Sequence, residues 1–454
     1  MFKKFSQGCV ALVQKYLPDP FIFAIILTFF VFLIGMPITH QGPLGMILGW
    51  GKGFWKLLAF SMQMALVLVT GHTLANAPSF KRGLENLASK PKSPAQAIIL
   101  VTLISTIACW INWGFGLVIG AIFAKEIAKK VKGVDYRLLI ASAYSGFLVW
   151  HAGLSGSIPL TVATGGKDVE VATAGVIKTA IPTSETLFSS YNLVIVIALL
   201  ILLPLLNKAM MPREEDTVVI DPKLLVDEND YGESAAVVAK ADMTPADKIE
   251  NSRLVSMLTG LMGIIYIIYY FATKGFDLNL DIVNFIFLFL AIILHGTPKR
   301  FISAIGEATK GAAGIILQFP FYAGIMGMMV CKGPTGVSLA GAMSTGFVAI
   351  SNKTTFPLFT FLSAGLVNFF VPSGGGQWAV QAPIMMPAAQ ALGVPLGKTA
   401  MAIAWGDAWT NMIQPFWALP ALGIAGLNAK DIMGFCLVDL LCSGVIIALG
   451  FVLI

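Results

Sequence analysis

Charge is what this sequence has least of. Asp, Glu, Lys and Arg make up 12% of its 454 residues, about half the ~25% usual in a soluble domain. That excludes an ordinary cytosolic enzyme and a disordered chain. Despite a net charge of +6, it also excludes a nucleic-acid partner, because too few cations remain to meet phosphates. Paired cysteines are missing too. Cys9, Cys109, Cys331, Cys436 and Cys442 are scattered, with no CxxC and no metal-ligand spacing, and read as reduced packing residues. The four histidines form no HxxxH or HExxH pattern, so no zinc hydrolase is indicated. No cofactor and no fixed metal site are expected. No small-residue cleavage site follows MFKKFSQGCVALVQKYLPDP, so residues 21–38 read as a retained first helix rather than a signal peptide.

What is abundant is apolar. The chain is 57% hydrophobic with a mean hydropathy of +0.81, and apolar stretches recur at about 20 residues, the length that crosses a ~30 Å hydrocarbon core. A β-barrel would show shorter alternating segments. The fold class expected is an all-α polytopic membrane protein with lipid as its surroundings.

The charge that exists is unevenly placed. Residues 207–253 hold 11 of the 24 acidic residues and 6 of the 30 basic ones, which marks a hydrophilic linker. The remainder carries an excess of +11. Lys81, Arg82, Lys90 and Lys92 fill one loop, and Lys125, Lys129, Lys130, Lys132 and Arg137 another. The positive-inside rule places both loops, the N-terminus and the linker in the cytoplasm.

The two halves of the chain repeat. At an offset of 255–256 residues, His40 and Pro43 match His295 and Pro298, Gln63 matches Gln318, Asn112 matches Asn368, Gly120 matches Gly376, and Pro159 matches Pro415. The expected organisation is a first repeat (1–206), a linker (207–253), one extra transmembrane helix (254–272) and a second repeat (273–454). Each repeat has five units: helices near 21–38, 57–77, 96–131 (broken), 137–165 (broken) and 187–207, then 281–297, 311–331, 354–391 (broken), 398–427 and 431–454. An odd helix between the copies inverts the second. The basic segments 81–92 and 125–137 correspond to 336–348 and 381–393, which carry no charge, whereas Lys299, Arg300 and Lys310 stand where an inverted copy faces inward. Inverted repeats with interrupted helices are the sequence mark of secondary transporters, because unwound backbone at membrane depth is tolerated only beside protein or a wet cavity.

The breaks supply the candidate substrate-binding residues. Asn112, Gly114 and Gly116 mark the first, and Asn368, Ser373, Gly374, Gly375, Gly376 and Gln377 the second. Three consecutive glycines cost about 1 kcal/mol each in a helix but let backbone amides approach an anion. Close helix packing explains the same residues without a ligand. Ser155, Ser157, Asn411 and Gln414 stand before prolines in the other pair of breaks, where they hold a carboxylate or a cation, or satisfy a proline kink. His151, Asp407 and Thr410 are the candidate coupling residues. Ionisable groups inside a membrane are costly, and the repeat offset pairs His151 with Asp407. His72 and Asp439 read as structural or interfacial. The coupling ion expected is Na⁺ or H⁺. A membrane enzyme using His151 and Asp407 is a remote alternative that no hydrolase motif supports.

The segments YLPDPFIFA (16–24), GFWKLLAFSMQMAL (53–66), CWINWGFGLVIGA (109–121), LQFPFYAGI (317–325), NFFVPSGGGQW (368–378) and QPFWALPALGIAGL (414–427) resemble the bacterial short-chain fatty acid transporter (AtoE-type) family of the ion transporter superfamily. The resemblance runs over nearly the whole chain. It implies cation-coupled uptake of short-chain monocarboxylates such as butyrate or acetoacetate across the inner membrane, by an elevator-like movement. A transporter of another small carboxylate and an anion channel are the alternatives. A homodimer is the assembly expected. No arginine or lysine sits mid-membrane to serve a second carboxylate group.

Overall fold

The computed structural model describes residues 2–16, 18–221, 243–275 and 280–454, and every regular element among them is helical. The first half runs α1 (Phe2–Tyr16), α2 (Pro20–Thr39), α3 (Pro43–Gly53), α4 (Leu58–Ala75), α5 (Pro78–Ala88), α6 (Pro94–Ile111) and α7 (Trp113–Lys130). An interrupted helix follows: α8 (Tyr136–Ser145), a 3-10 segment (Gly146–Ala152) and α9 (Ser157–Thr164). Then come α10 (Lys167–Ala172) and α11 (Ser190–Ala209). After the linker, whose residues 222–242 lie outside the described residues, come α12 (Pro245–Glu250) and α13 (Arg253–Lys274). The second half runs α14 (Leu280–His295), α15 (Pro298–Thr309), α16 (Ala313–Val330), α17 (Leu339–Ala349), α18 (Phe356–Asn368) and α19 (Gly374–Leu392). A second interrupted helix, α20 (Leu396–Thr410), a 3-10 turn (Asn411–Ile413) and α21 (Pro415–Ala425), leads to α22 (Ala429–Leu453).

Starts and stops follow local chemistry. Proline opens α2, α3, α5, α6 and α15, where its missing N–H costs nothing. Asp19, Ser93 and Asp135 accept from the amides of Phe21, Gln96 and Leu138 at the starts of α2, α6 and α8. Seven helical spans among the described residues are long and apolar enough to cross a membrane.

The five-unit division needs correction. α1, α3, α5, α15 and α17 are additional helices, and several basic residues assigned to loops sit on helices: Arg82 lies in α5, Lys125, Lys129 and Lys130 in the last two turns of α7, and Arg137 at the start of α8, while Lys90, Lys92 and Lys132 lie between helices. The cause is amphipathicity. On α5, Leu84, Leu87 and Ala88 fall on one face, one turn apart, while Arg82 and Glu85 keep the other polar.

From α2 to α11 and from α14 to α22 the same order recurs: a long helix, a short one, a long one, a short one, a hairpin pair, an interrupted helix and a closing helix. The contacts are reciprocal. α4 lies against α14 and α15, and α16 lies against α2 and α3. α20 lies against the 3-10 segment 146–152 and against α9, and α21 lies against α7 and α8. Within the span Tyr136–Thr164 an 18-residue apolar window is 94% buried, whereas the corresponding windows of α2 and α13 are 22% and 17% buried. The interrupted helices are thus the centre of the molecule, and α2 and α13 face outward.

Candidate functional site

Asn112 is the whole of the first break. Its extended backbone (φ −150°, ψ 122°) ends α6, and its side chain accepts from the Phe115 amide at 2.9 Å to start α7. The turn closes tightly because Gly116 has no side chain: a Cβ there would meet the Cys109 amide nitrogen and Sγ at 2.4 Å. Ser155 Oγ accepts from the Trp113 amide at 3.0 Å, fixing the first break to the loop that follows the 3-10 segment. The first break is therefore held by Asn112, Gly116 and Ser155.

The second break is wider. α18 ends at Asn368, and α19 starts at Gly374, with Ser373 Oγ accepting from the Gly376 amide at 3.3 Å. The Gln377 amide donates to Ser373 O at 2.7 Å, while the amides of Gly374 and Gly375 donate to no described residue. A Cβ on Gly375 would meet nothing within 4 Å, and one on Gly376 would meet Met326 Sδ at 3.0 Å. α19 therefore presents two unspent N–H groups at the positive end of its dipole, that of Gly375 on an exposed residue beside open space and that of Gly374 on a buried one.

Asn368 joins the hairpin to the second interrupted helix. Its two Nδ2 hydrogens are shared among Asp407 O (2.8 Å), Thr410 Oγ1 (2.9 Å) and Asn411 Oδ1 (2.8 Å). Thr410 Oγ1 donates on to Gly365 O at 2.9 Å. Gln414 Nε2 donates to Asn368 O and Phe369 O. Gln377 Nε2 points inward, to Ala364 O and Gln381 Oε1. What these amides leave over is oxygen: Asn368 Oδ1, Gln377 Oε1, Gln414 Oε1 and both carboxylate oxygens of Asp407 are buried and accept no hydrogen bond.

The two interrupted helices meet at His151 and Asp407. His151 Nδ1 lies 3.3 Å from Asp407 Oδ1, and both side chains are 0% exposed. On the other edge of the ring, the Ile158 amide donates to His151 Nε2 at 3.3 Å, and Ser157 Oγ lies 2.8 Å from the same nitrogen. A nitrogen that accepts from a backbone N–H carries a lone pair. The neutral imidazole therefore holds its proton on Nδ1, facing the carboxylate. Trp150 stacks on the ring, centroids 3.8 Å apart at 14°. The tip of α19 closes the arrangement. A Cβ on Gly374 would lie 2.4 Å from Ser157 Oγ, 2.7 Å from His151 Cε1 and 2.9 Å from His151 Nε2. Only a glycine lets the helix start touch the imidazole.

The structure thus brings together His151, Ser157, Gly374, Asp407, Asn368, Thr410, Asn411 and Gln414. It leaves Gly116 in the turn of the first hairpin and Ser155 in the loop after the 3-10 segment, bonded to that turn. The aromatic wall was not anticipated from the sequence. Trp113 lies edge-on to Trp417 at 5.3 Å, and Phe147 stacks on Trp150 at 5.5 Å. Tyr322 and Phe319 flank Phe416 on the far side. The available signal was the aromatic density of residues 147–150 and 416–417.

Two interrupted helices that cross at a buried polar centre, within a shell of apolar spans, define a multi-pass membrane transporter. The chain matches the short chain fatty acid transporter family over residues 1–454. It is 48% identical over 453 residues to a protein of Escherichia coli (strain K12), covering all of both chains, and 47% identical over 456 residues to one of Haemophilus influenzae, covering 99% of each. Both relatives are provisionally named short-chain fatty acid transporters. The protein belongs to the short-chain fatty acid transporter family. Among solved structures, the Alcanivorax borkumensis YdaH transporter aligns over 96% of this chain and 97% of its own, with a TM-score of 0.46 and 15% identity.

Proposed function

We propose that the protein moves a short-chain monocarboxylate, butyrate or acetoacetate, across the bacterial inner membrane together with a proton. The observation that carries this is the meeting of Gly374 with His151. The unspent amides of Gly374 and Gly375 offer a carboxylate a seat that has no fixed cation and is therefore easily vacated. The same helix start abuts Nε2, the imidazole nitrogen whose lone pair accepts from the Ile158 amide and can take a proton instead. When that nitrogen is protonated, Ser157 Oγ becomes its acceptor and the Ile158 amide is released. The new positive charge lies between Asp407 and the substrate carboxylate, so proton and anion bind more strongly together than apart. Met326, opposite Gly376, offers the alkyl chain an apolar and adaptable surface.

The transport movement in this proposal is elevator-like. Its support is the division of contacts: α2–α4 interlock with α14–α16, whereas the hairpins and interrupted helices pack on one another. The recurring element order and the one-sided basic residues support two inverted repeats with the N-terminus and linker in the cytoplasm. A homodimer completes the proposal, and the outward apolar residues of α2, Ile26, Phe29, Phe30 and Leu33, are available to it.

Sodium is the alternative coupling ion, favoured by a separate observation: the unpartnered oxygens of Asp407, Asn368, Gln377 and Gln414. Hard cations take oxygen ligands. Uptake of labelled butyrate and acetoacetate into proteoliposomes, with Na⁺ and pH gradients imposed separately, tests the proposal. Flux indifferent to both gradients overturns coupled transport and leaves a channel.

A further inference from the structure

Asp439 lies outside the proposed transport site, on α22, and is completely buried. Its hydrogen-bonding surroundings come from three other helices. Asn207 of α11 donates through Nδ2 to Thr102 Oγ1 on α6 at 3.1 Å and to Ser145 Oγ on α8 at 2.9 Å. Thr102 Oγ1 in turn donates to Ile98 O at 2.7 Å, and Ser145 Oγ donates to Ser142 O at 2.9 Å. Both hydroxyl protons and both amide protons are thereby assigned. In this orientation of its amide, Asn207 turns its carbonyl oxygen toward Asp439, 3.1 Å from Oδ1 and 3.3 Å from Oδ2. Two oxygens at that separation need a hydrogen between them, and only the carboxyl can supply it.

The other arrangement turns the Asn207 amide over. Nδ2 then donates to an ionised Asp439, and the hydroxyls of Thr102 and Ser145 leave their helix carbonyls to donate to Asn207 Oδ1. It leaves a full charge inside a membrane-spanning segment with only a neutral amide for company, the costly condition that buried carboxylates avoid. α22 packs against α1, α8, α11, α18, α20 and α21, and no ion pair among the described residues reaches Asp439 from any of them. The nearby titratable groups are Cys436 and Cys442 on its own helix, neither of them a cation.

We infer that Asp439 is a second proton-binding site, held as a neutral carboxylic acid that donates to Asn207 Oδ1. The acid is a positioning group. Through Asn207 it fixes Ser145, the last residue of α8, immediately before the 3-10 segment that carries His151. The proton is resident and does not travel with the substrate. Nothing in this inference depends on the proposed substrate or coupling.

The test is infrared spectroscopy of the full-length protein in lipid at neutral pH, wild type against Asp439→Asn. The expected difference is a protonated-carboxyl C=O band, lowered in D₂O, that Asp439→Asn removes and Asn207→Ala shifts to higher frequency. Asn at 439 reproduces the neutral acid's donor. Asp439→Asn is therefore expected to melt at the wild-type temperature, to take up substrate within twofold of wild type and to keep the wild-type pH profile. A carboxylate band in place of the acid band at neutral pH overturns the inference. So does an Asp439→Asn protein that is strongly destabilised or does not fold.

Discussion

His151 and Asp407 stand 256 positions apart in sequence and 3.3 Å apart in space, with neither side chain exposed. His151 comes from the 3-10 segment of the first interrupted helix and Asp407 from the last turn of α20, so the pair exists only while the two halves of the molecule are engaged. Replacing one member leaves the other buried and uncompensated, which is the expensive way to break such a pair. His151→Asn is expected to cut butyrate uptake at least tenfold and to remove its response to a pH gradient. Asp407→Asn is expected to do the same, and the double variant to lose no more than either single one. Additive losses in this cycle contradict direct coupling.

Gly374 and Gly375 separate steric contact from ligand binding. A Cβ at 374 collides with Ser157 Oγ and the His151 ring, whereas one at 375 meets nothing within 4 Å. Gly374→Ala is expected to impair both uptake and stability, by about 1–3 kcal/mol for an overpacked site. Gly375→Ala is expected to fold as wild type, and Gly375→Trp to insert normally while abolishing uptake. Unchanged uptake in Gly375→Trp removes the carboxylate from the start of α19.

Asn368 is expected to be a stability residue as well as a site residue. Its Nδ2 holds Asp407 O, Thr410 Oγ1 and Asn411 Oδ1, and each hydrogen bond contributes on the order of 1 kcal/mol. Asn368→Ala is expected to lose about 2–3 kcal/mol by that reckoning, read as a fall in melting temperature in detergent. A melting temperature equal to wild type shows that these bonds do not tie α18 to α20.

Inverted topology is checked by labelling single cysteines from outside intact cells in a cysteine-free background. Lys90→Cys and Lys130→Cys are expected to resist a membrane-impermeant reagent, and Val337→Cys, in the uncharged counterpart segment, to react. Equal labelling of all three contradicts the inversion.

The apolar spans and the breaks were legible in the sequence because glycine, proline and helix-capping residues at membrane depth have few explanations. Asn112 and Pro372–Ser373 sit where the chain unwinds, and Gly374–Gly376 form the first turn of α19. The pairing of His151 with Asp407 followed from the repeat offset. The short helices were not legible: on α5 and α15, basic residues next to a proline look like a loop unless the apolar face is counted turn by turn. Nor was the link between Asn207 and Asp439, because residues on α11 and α22 meet only through tertiary packing. The direction in which Gln377 points belongs to the same class. Its amide nitrogen turns toward Ala364 and Gln381, which a residue following three glycines does not announce.

The most direct test of the account is labelled butyrate uptake into sodium-free proteoliposomes with an inside-alkaline pH gradient, corrected for protein-free liposomes. The account predicts accumulation above equilibrium that a protonophore collapses and that His151→Asn lacks. Uptake by the wild type that equilibrates without accumulating, at the same rate with and without the gradient, contradicts it.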